Sequence, residues 1–357
     1  MNLTKTAPRR LSLVTCLALF GLVGCERAEP LQFVSSEQVL GLEDELRSEV
    51  EKYVRDYTGS ATTPKMLGDD EFDPDQLAHG QAVYMKRCAQ CHGVSGDGKG
   101  PVAGSLYPRP RDYRRGIFKF TSTPYGSKPK RSDLEKTLIR GVPGTSMPSF
   151  DRLSKKDLKA VVDYILMLTH RGELEYQLGS EAENEEELDP EYVPEYAEGI
   201  VDDWHTAQYQ TVRALTPQPE FTAENVEAGR KAFLSKGCSK CHAEDGRGHM
   251  PGNIGKDTWG FTTSAADLTS GMLRGGQRPE DIYQRIYSGI NGTPMPAFKN
   301  TLGGEPETIW NLVAYVLYVS NSRRNGALPP AGMLKPYPTA ASSSEAASDE
   351  DSEDDDE

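Results

Sequence analysis

The sequence predicts an all-α protein built from two consecutive helical units joined by an acidic linker. Three observations carry this. Apolar residues recur at helical spacing in several segments, an internal repeat relates residues 72–170 to residues 222–322, and Cys-x-x-Cys-His occurs twice, 150 residues apart. Within the repeat, Asp133-Leu134, Gly141 and Phe150 correspond to Asp281-Ile282, Gly289 and Phe298 at a constant offset of 148. Upstream, Asp112-Tyr113 and Gly116 match Asp267-Leu268 and Gly271.

The segments follow in order. In residues 1–25, Lys5, Arg9 and Arg10 precede an apolar stretch from Leu11 to Val23 that includes Cys16. The stretch is too short for a permanent transmembrane helix and predicts an export signal. Leu22-Val23-Gly24-Cys25 resembles a bacterial lipobox, with Cys25 as the lipidated first residue of the mature chain. Glu26, in place of Asp, points to the outer membrane under the sorting rule of enteric bacteria. Residues 26–71 are acidic, and a helical pattern starts at Ser35, with Val39, Leu42, Leu46, Val50, Tyr53 and Tyr57 on one side. Two roles fit this segment: packing on the first unit, or spacing it from the membrane.

The first unit opens with a helical stretch that places Gly80 and Tyr84 four residues apart. It closes with an amphipathic helix, capped by Ser154 with Asp157 and striped by Leu158, Val161, Val162, Ile165 and Leu166. In the linker, 171–221, the acidic run 181–198 holds two prolines and is expected to be extended, with a short helix over 201–215. The second unit repeats the plan with Gly229 and Phe233, then Pro306 in a first helical turn and Ile309, Trp310, Val313, Val316 and Leu317 behind it. Tyr164 and Tyr315 take equivalent places in the closing helices. The tail, 323–357, carries nine acids after Ser342 among Ser and Ala, a disordered composition.

Chemistry enters with the repeated pentapeptide. Cys88-Ala89-Gln90-Cys91-His92 and Cys238-Ser239-Lys240-Cys241-His242 each have the form that attaches a c-type haem. Two intervening residues put both sulfurs on one turn, and the adjacent imidazole then points over the ring plane. A redox dithiol needs no His after the second Cys, and a zinc site needs a second Cys or His pair nearby. The four motif cysteines, Cys16 and Cys25 account for all six. Haem attachment occurs outside the bacterial cytoplasm, which agrees with an exported chain on the periplasmic side of a membrane.

Each motif has a matched methionine. Gly144-Thr145-Ser146-Met147-Pro148 lies 55 residues beyond His92, counted to Met147, and Gly292-Thr293-Pro294-Met295-Pro296 lies 53 beyond His242, counted to Met295. That length can cross a haem and return on its other face. A soft thioether opposite imidazole favours ferrous iron and raises the potential, as electron-transfer proteins require. A lone Met beside Pro and Gly would read as core filler. The pairing makes Met147 and Met295 the axial candidates. His79, His170, His205 and His249 are assigned surface or structural places, and Met250 and Met272 lack the Gly-Thr-x-Met-Pro setting.

With these motifs, the chain resembles class I cytochromes c in tandem, and more narrowly the di-haem cytochrome c lipoproteins of bacteria. The resemblance implies two covalently bound haem c groups, held by Cys88, Cys91, His92 and Met147 and by Cys238, Cys241, His242 and Met295. It implies that the first helix of each unit crosses the last through Gly80, Tyr84 and Tyr164, and through Gly229, Phe233 and Tyr315. It also implies a Pro carbonyl accepting the proximal His N–H. Pro101 corresponds to that residue; in the second copy Pro251 sits one residue further on.

The net charge of −14 is unevenly spread. By formal count, residues 26–75 carry −9, 76–170 carry +10, 171–221 carry −12, 222–324 carry +2 and 325–357 carry −8. Arg109, Arg111, Arg114, Arg115, Lys119, Lys128, Lys130 and Arg131 crowd one stretch against a single acid, Asp112. Such a stretch serves to dock an acidic redox partner, or else to neutralise haem propionates or pair with the protein's own acidic linker. Acidic surroundings in an exported protein argue against nucleic acid.

The expected function is single-electron transfer between respiratory partners by an anchored protein with no substrate chemistry of its own. The donor would be a quinol-oxidising complex or reductase, and the acceptor a terminal oxidase or soluble carrier. Two alternatives stand beside it. A di-haem peroxidase needs one iron with a releasable sixth position and an acid–base group nearby. A permanent haem subunit of a respiratory complex needs no free existence.

Overall fold

Residues 31–248 and 254–324 are described by the computed structural model, and among them the secondary structure is helical, with two isolated bridges and no strand. No helix of these residues is long and apolar enough to cross a membrane. The export signal, Cys25 and residues 325–357 of the tail lie outside the described residues.

The N-terminal pattern forms two helices, α1 (Glu37–Leu40) and α2 (Asp44–Thr58), broken at Gly41. The first unit contains α3 (Pro74–Arg87), α4 (Ala89–His92), α5 (Arg131–Arg140) and the start of α6 (Lys155–Glu185). Asp73 caps α3 by accepting from Asp75 N at 2.9 Å, and Pro74 fills a first-turn position whose N–H would be orphaned anyway. Ser154 caps α6 by accepting from Asp157 N at 3.0 Å, as predicted.

Between the units lies α7 (Val193–Ala207). The second unit contains α8 (Ala223–Ser235), α9 (Ser239–His242), α10 (Pro279–Ser288), α11 (Lys299–Leu302) and α12 (Pro306–Arg324). Four helices of each unit correspond, α3, α4, α5 and α6 to α8, α9, α10 and α12, while the short α11 has no counterpart in the first unit.

In each unit the first and last helices cross with backbone against backbone. A Cβ on Gly80 would stand 2.1 Å from Ala160 O, and one on Gly229 would stand 1.9 Å from Asn311 O. Aromatic pairs seal the crossings, Tyr84 on Tyr164 at 5.2 Å between ring centroids and Phe233 on Tyr315 at 5.1 Å. All four rings are buried. The roles implied for these six residues by the family resemblance are those found.

The acidic linker is not extended. Residues 181–185 complete α6, whose 31 residues span about 46 Å. That helix runs through residue 170, where the first unit was expected to end. The linker helix also starts earlier than expected, at Val193, because Pro194 suits its first turn and Val193, Ala197, Ile200 and Trp204 make a buried stripe at helical spacing. These side chains meet Val39, Val50 and Val54 from α1 and α2, and Leu174, Leu178 and Ala182 from α6. The N-terminal segment and the linker thus share a third core, distinct from those of the two repeat units.

His170 lies inside α6 and is buried, because that helix continues past the first unit. Its ring is 5.1 Å from the Trp204 ring, and neither ring nitrogen has a hydrogen-bond partner. Trp204 Nε1 donates to Glu173 Oε2 at 2.6 Å, and Lys128 pairs with the other oxygen of the same carboxylate. Burial, and secondarily the Lys128 charge, push the His170 pKa down to about 3.

Two predictions follow from these contacts. Alanine is the better helix former by about 1 kcal/mol, yet G80A and G229A should each lower the unfolding free energy by about 1–3 kcal/mol through overpacking. Denaturant titration measures this, and an unchanged midpoint would disprove the close crossing. The second concerns acid. An unfolded His binds its proton near pH 6.5, whereas folded His170 stays neutral down to about 3. Between those values the unfolded chain holds more protons, so stability falls as pH drops through this window. H170L should flatten that slope; a slope unaltered in the variant would place the acid sensitivity in other groups.

Candidate haem sites

Helix α3 ends at Arg87, immediately before the first motif. Cys88 N donates to Tyr84 O at 2.7 Å, and the single turn α4 then closes with Cys91 N and His92 N on Cys88 O at 3.0 and 2.9 Å. In the second unit Cys241 N and His242 N meet Cys238 O at 3.3 and 3.0 Å. Both sulfurs of each motif therefore share one turn, with the imidazole directly after it. The turn exits through a left-handed residue, Gly93 at φ 75° in the first unit. Ala243 takes that place in the second at φ 59°, a conformation that costs an L-residue about 1–3 kcal/mol.

The proximal carbonyl is not that of Pro101. His92 Nδ1 lies 3.1 Å from Arg111 O, and His242 Nδ1 lies 3.2 Å from Ala266 O. Pro101 is exposed, because Gly98 N, Gly100 N and Val102 N bond back to His92 O, Cys91 O and Gln90 O and hold its turn alongside the motif. The segment that crosses the imidazole comes later, fixed by Tyr113 N on Gly96 O at 3.1 Å, with the Tyr113 ring 5.4 Å from His92. In the second unit Leu268 N on Gly246 O at 2.8 Å repeats that anchor. The repeat contained the signal: Arg111 and Ala266 immediately precede the matched Asp112 and Asp267. Pro251, His249 and Met250 lie outside the described residues.

The methionine loops agree bond for bond. Val142 N donates to Met147 O at 3.0 Å, and Ile290 N to Met295 O at 3.2 Å. Thr145 Oγ1 donates to Val142 O and accepts from Met147 N; Thr293 Oγ1 does the same with Ile290 O and Met295 N. Phe150 N and Phe298 N then bond to Leu138 O and Ile286 O, pinning each loop to the preceding helix. Gly141 and Gly289, at φ 68° and 69°, end those helices; a Cβ on either would stand 2.6 Å from the Pro that follows the Met. Met147 and Met295 are both half-buried, and Met147 packs with Cys88 against the core of the first unit.

This chemistry fits haem. Each His has Nδ1 tied to a carbonyl, while Nε2 makes no hydrogen bond among the described residues and so remains the donor for a metal. Burial pushes the pKa of both imidazoles down, which keeps them neutral as ligation requires. None of the four motif cysteines is paired in a disulfide. Burial, then the neighbouring Cys, pushes Cys88 up to about 12, and burial pushes Cys238 up to about 11. These are not the low-pKa thiols of a redox pair. Among the described residues no group of three His, Cys, Asp or Glu forms an alternative metal cage.

The other candidates stay apart from these centres. His79 Nε2 meets Asp157 Oδ1 at 2.7 Å across α3 and α6, His205 is exposed near Tyr209, and Met272 is half exposed beside Gly144. The basic stretch mostly turns inward. Arg111 and Lys119 meet Asp257, Arg114 meets Asp112, Lys128 meets Glu173 and Arg131 meets Asp163. Arg115 covers the Tyr176 ring, and Arg109 donates to Ala103 O. Burial, reinforced by Arg111, pulls Lys119 down to about 8.

Comparison with known proteins agrees with this geometry. The family model described as cytochrome c matches residues 77–169 and again 226–320, together more than half of the chain. No curated protein matches the sequence. A solved structure, the Kuenenia stuttgartiensis reducing HAO-like protein complex, contains a chain 33% identical, with 68% of this chain and 95% of that chain covered and a TM-score of 0.52. With its two motif turns, two tethered imidazoles and two equivalent methionine loops, the chain belongs to the cytochrome c family as a tandem pair of domains carrying two covalently bound c-type haems.

Proposed function

We propose that this protein is an anchored di-haem electron carrier, passing single electrons from a quinol-oxidising complex or reductase to a terminal oxidase or soluble carrier. The observation that carries the reading is the equivalence of the two frames, a carbonyl-tethered His and a Thr-pinned Met loop in each unit. The haem supplies the one-electron couple. Cys88, Cys91, Cys238 and Cys241 would hold it covalently, His92 and His242 would ligate it through Nε2, and Met147 and Met295 would supply a thioether sulfur. Because Arg111 O and Ala266 O orient the imidazoles, and Thr145 and Thr293 fix the loops, neither centre needs to rearrange when its charge changes. With His and Met of each unit both given to the haem, the chain's own residues would leave no coordination place for a substrate.

The partner is a redox protein with an acidic face. Since the basic stretch is largely spent internally, docking falls to cations that form no ion pair among the described residues. Lys136 on α5, Arg152 just before α6, and Lys155 and Lys156 in its first turn are exposed and flank the Met147 loop in sequence. Cys25 is the lipid anchor, which holds the protein at the periplasmic side of a bacterial membrane, the outer one by the Glu26 criterion.

A second reading is supported by the HAO-like complex, whose 33% identical chain is part of an assembly. On that reading this chain is a permanent electron-transfer subunit. Purification from native membranes in mild detergent separates the two: a carrier emerges alone, a subunit with a stoichiometric partner. C25S should move the protein into the soluble fraction, and persistent membrane attachment would refute the anchor. M147A and M295A should each lower the potential of one haem and let that iron bind an added ligand such as cyanide. A variant whose spectrum and potentiometric curve match the parent would remove that Met from the ligand set.

A further inference from the structure

One residue of the second unit is clamped by the proximal loop of the first. Trp259 Nε1 donates to Asp112 O at 2.6 Å, and the Arg111 guanidinium carbon lies 3.6 Å from the centre of the Trp259 ring. Arg111 also reaches Asp257, two residues before Trp259, at 3.5 Å, and that carboxylate is buried and accepts from Trp259 N at 3.2 Å. The peptide pinned by the indole belongs to the residue after Arg111, whose own carbonyl holds His92 Nδ1.

The other edge of the indole reaches the distal loop of its own unit. A Cβ on Gly292 would stand 2.6 Å from Trp259 Cη2 and Cζ3, and Gly292, at φ 70°, opens Gly292-Thr293-Pro294-Met295. Thr258 N further bonds to Gly292 O at 3.0 Å. A continuous series of contacts therefore runs from His92 through Arg111 and the indole to the Met295 loop. Glycine at 292 lets the ring lie against the loop backbone.

We propose that Trp259 is the electronic contact between the two haem centres, coupling the His92 side of the first to the Met295 side of the second. This rests on the ligand assignment above. One electron leaves the ferrous iron of one unit and reduces the ferric iron of the other; no bond forms or breaks and no proton moves. The indole is not itself oxidised. It acts as a dense, conjugated medium that replaces a gap of solvent, and Arg111 and Asp257 are positioning residues that hold it in place. Its aromatic face also accepts the Arg111 cation, an interaction that strengthens where water is excluded.

The test uses the full-length holoprotein with W259L. The rate of inter-haem electron transfer is followed after rapid photoreduction of a half-oxidised sample. Small-angle scattering reports whether the units remain docked, and the haem spectra report whether both irons keep His and Met. The expected result is a several-fold slower transfer with unchanged radius of gyration and unchanged ligation. W259F, which keeps a ring but lacks the N–H, should fall between. An inter-haem rate in W259L equal to that of the parent overturns the proposal, as does a rate lost only together with docking, since Trp259 would then be a mechanical joint. If the parent itself lacks the His and Met signature in either unit, the ligand assignment fails independently of any result on Trp259.

Discussion

The close crossing of the first and last helix in each unit is the constraint on which the two centres depend. Gly80 admits the Ala160 carbonyl and Gly229 admits that of Asn311, so the separation is set by backbone and not by adjustable side chains. Helix α3 runs directly into Cys88, while α6 begins five residues after Phe150 closes the Met147 loop. Fixing one helix on the other therefore also fixes the origins of the two segments that bring the ligands. Tyr84 ties the crossing to the proximal turn, donating to Gly93 O at 2.8 Å while accepting from Tyr113 at 2.5 Å. A glycine carrying no chemistry thus governs the geometry of residues that do.

What was legible in the sequence was local or duplicated. The motif turn is local, since the spacing of Cys88, Cys91 and His92 alone puts them on one turn. The Met loops were legible because the same Gly-Thr-x-Met-Pro setting occurs twice, although the reason for the Thr emerges only from its paired hydrogen bonds. The proximal carbonyl was misplaced because its identity depends on the path of a long loop, which no spacing from His92 reveals. The helical linker was hidden by composition. Acids dominate 181–198, and the stripe of Val193, Ala197, Ile200 and Trp204 is only meaningful once α2 and the far half of α6 cover it.

That third core changes what the acidic segments do. The long helix α6 lends its first half to the core of the first unit and its second half to Val39, Val50, Val54 and Trp204. The two cores cannot slide past one another without breaking it. The charged groups at the join are paired, buried Glu173 with half-buried Lys128 and buried Glu175 with buried Arg171. Buried pairs of this kind lose much of their attraction to desolvation, while removing one partner leaves an unpaired charge that is strongly destabilising. We therefore assign them to fixing the register of α6 against its neighbours, with net stability supplied by the apolar side chains around them.

A duplicated chain separates two kinds of residue. Features present in both copies, the motif turns, the Thr-pinned loops and the glycine crossings, serve what both copies do, which is to hold a haem. Features present in one copy must serve something the copies do differently. Arg111 has Ala266 as its counterpart, so both positions supply a carbonyl to a proximal His but only one extends a cation. That cation goes to Trp259 and Asp257 of the other unit. Lys119 meets the same Asp257, and Arg285 and Asn291 of the second unit bond back to the first at Thr121 O and Gly126 N. Two cations of the first unit, Arg111 and Lys119, are thus accounted for by the buried Asp257 of the second. These contacts hold the second unit on the first through residues that only one copy carries.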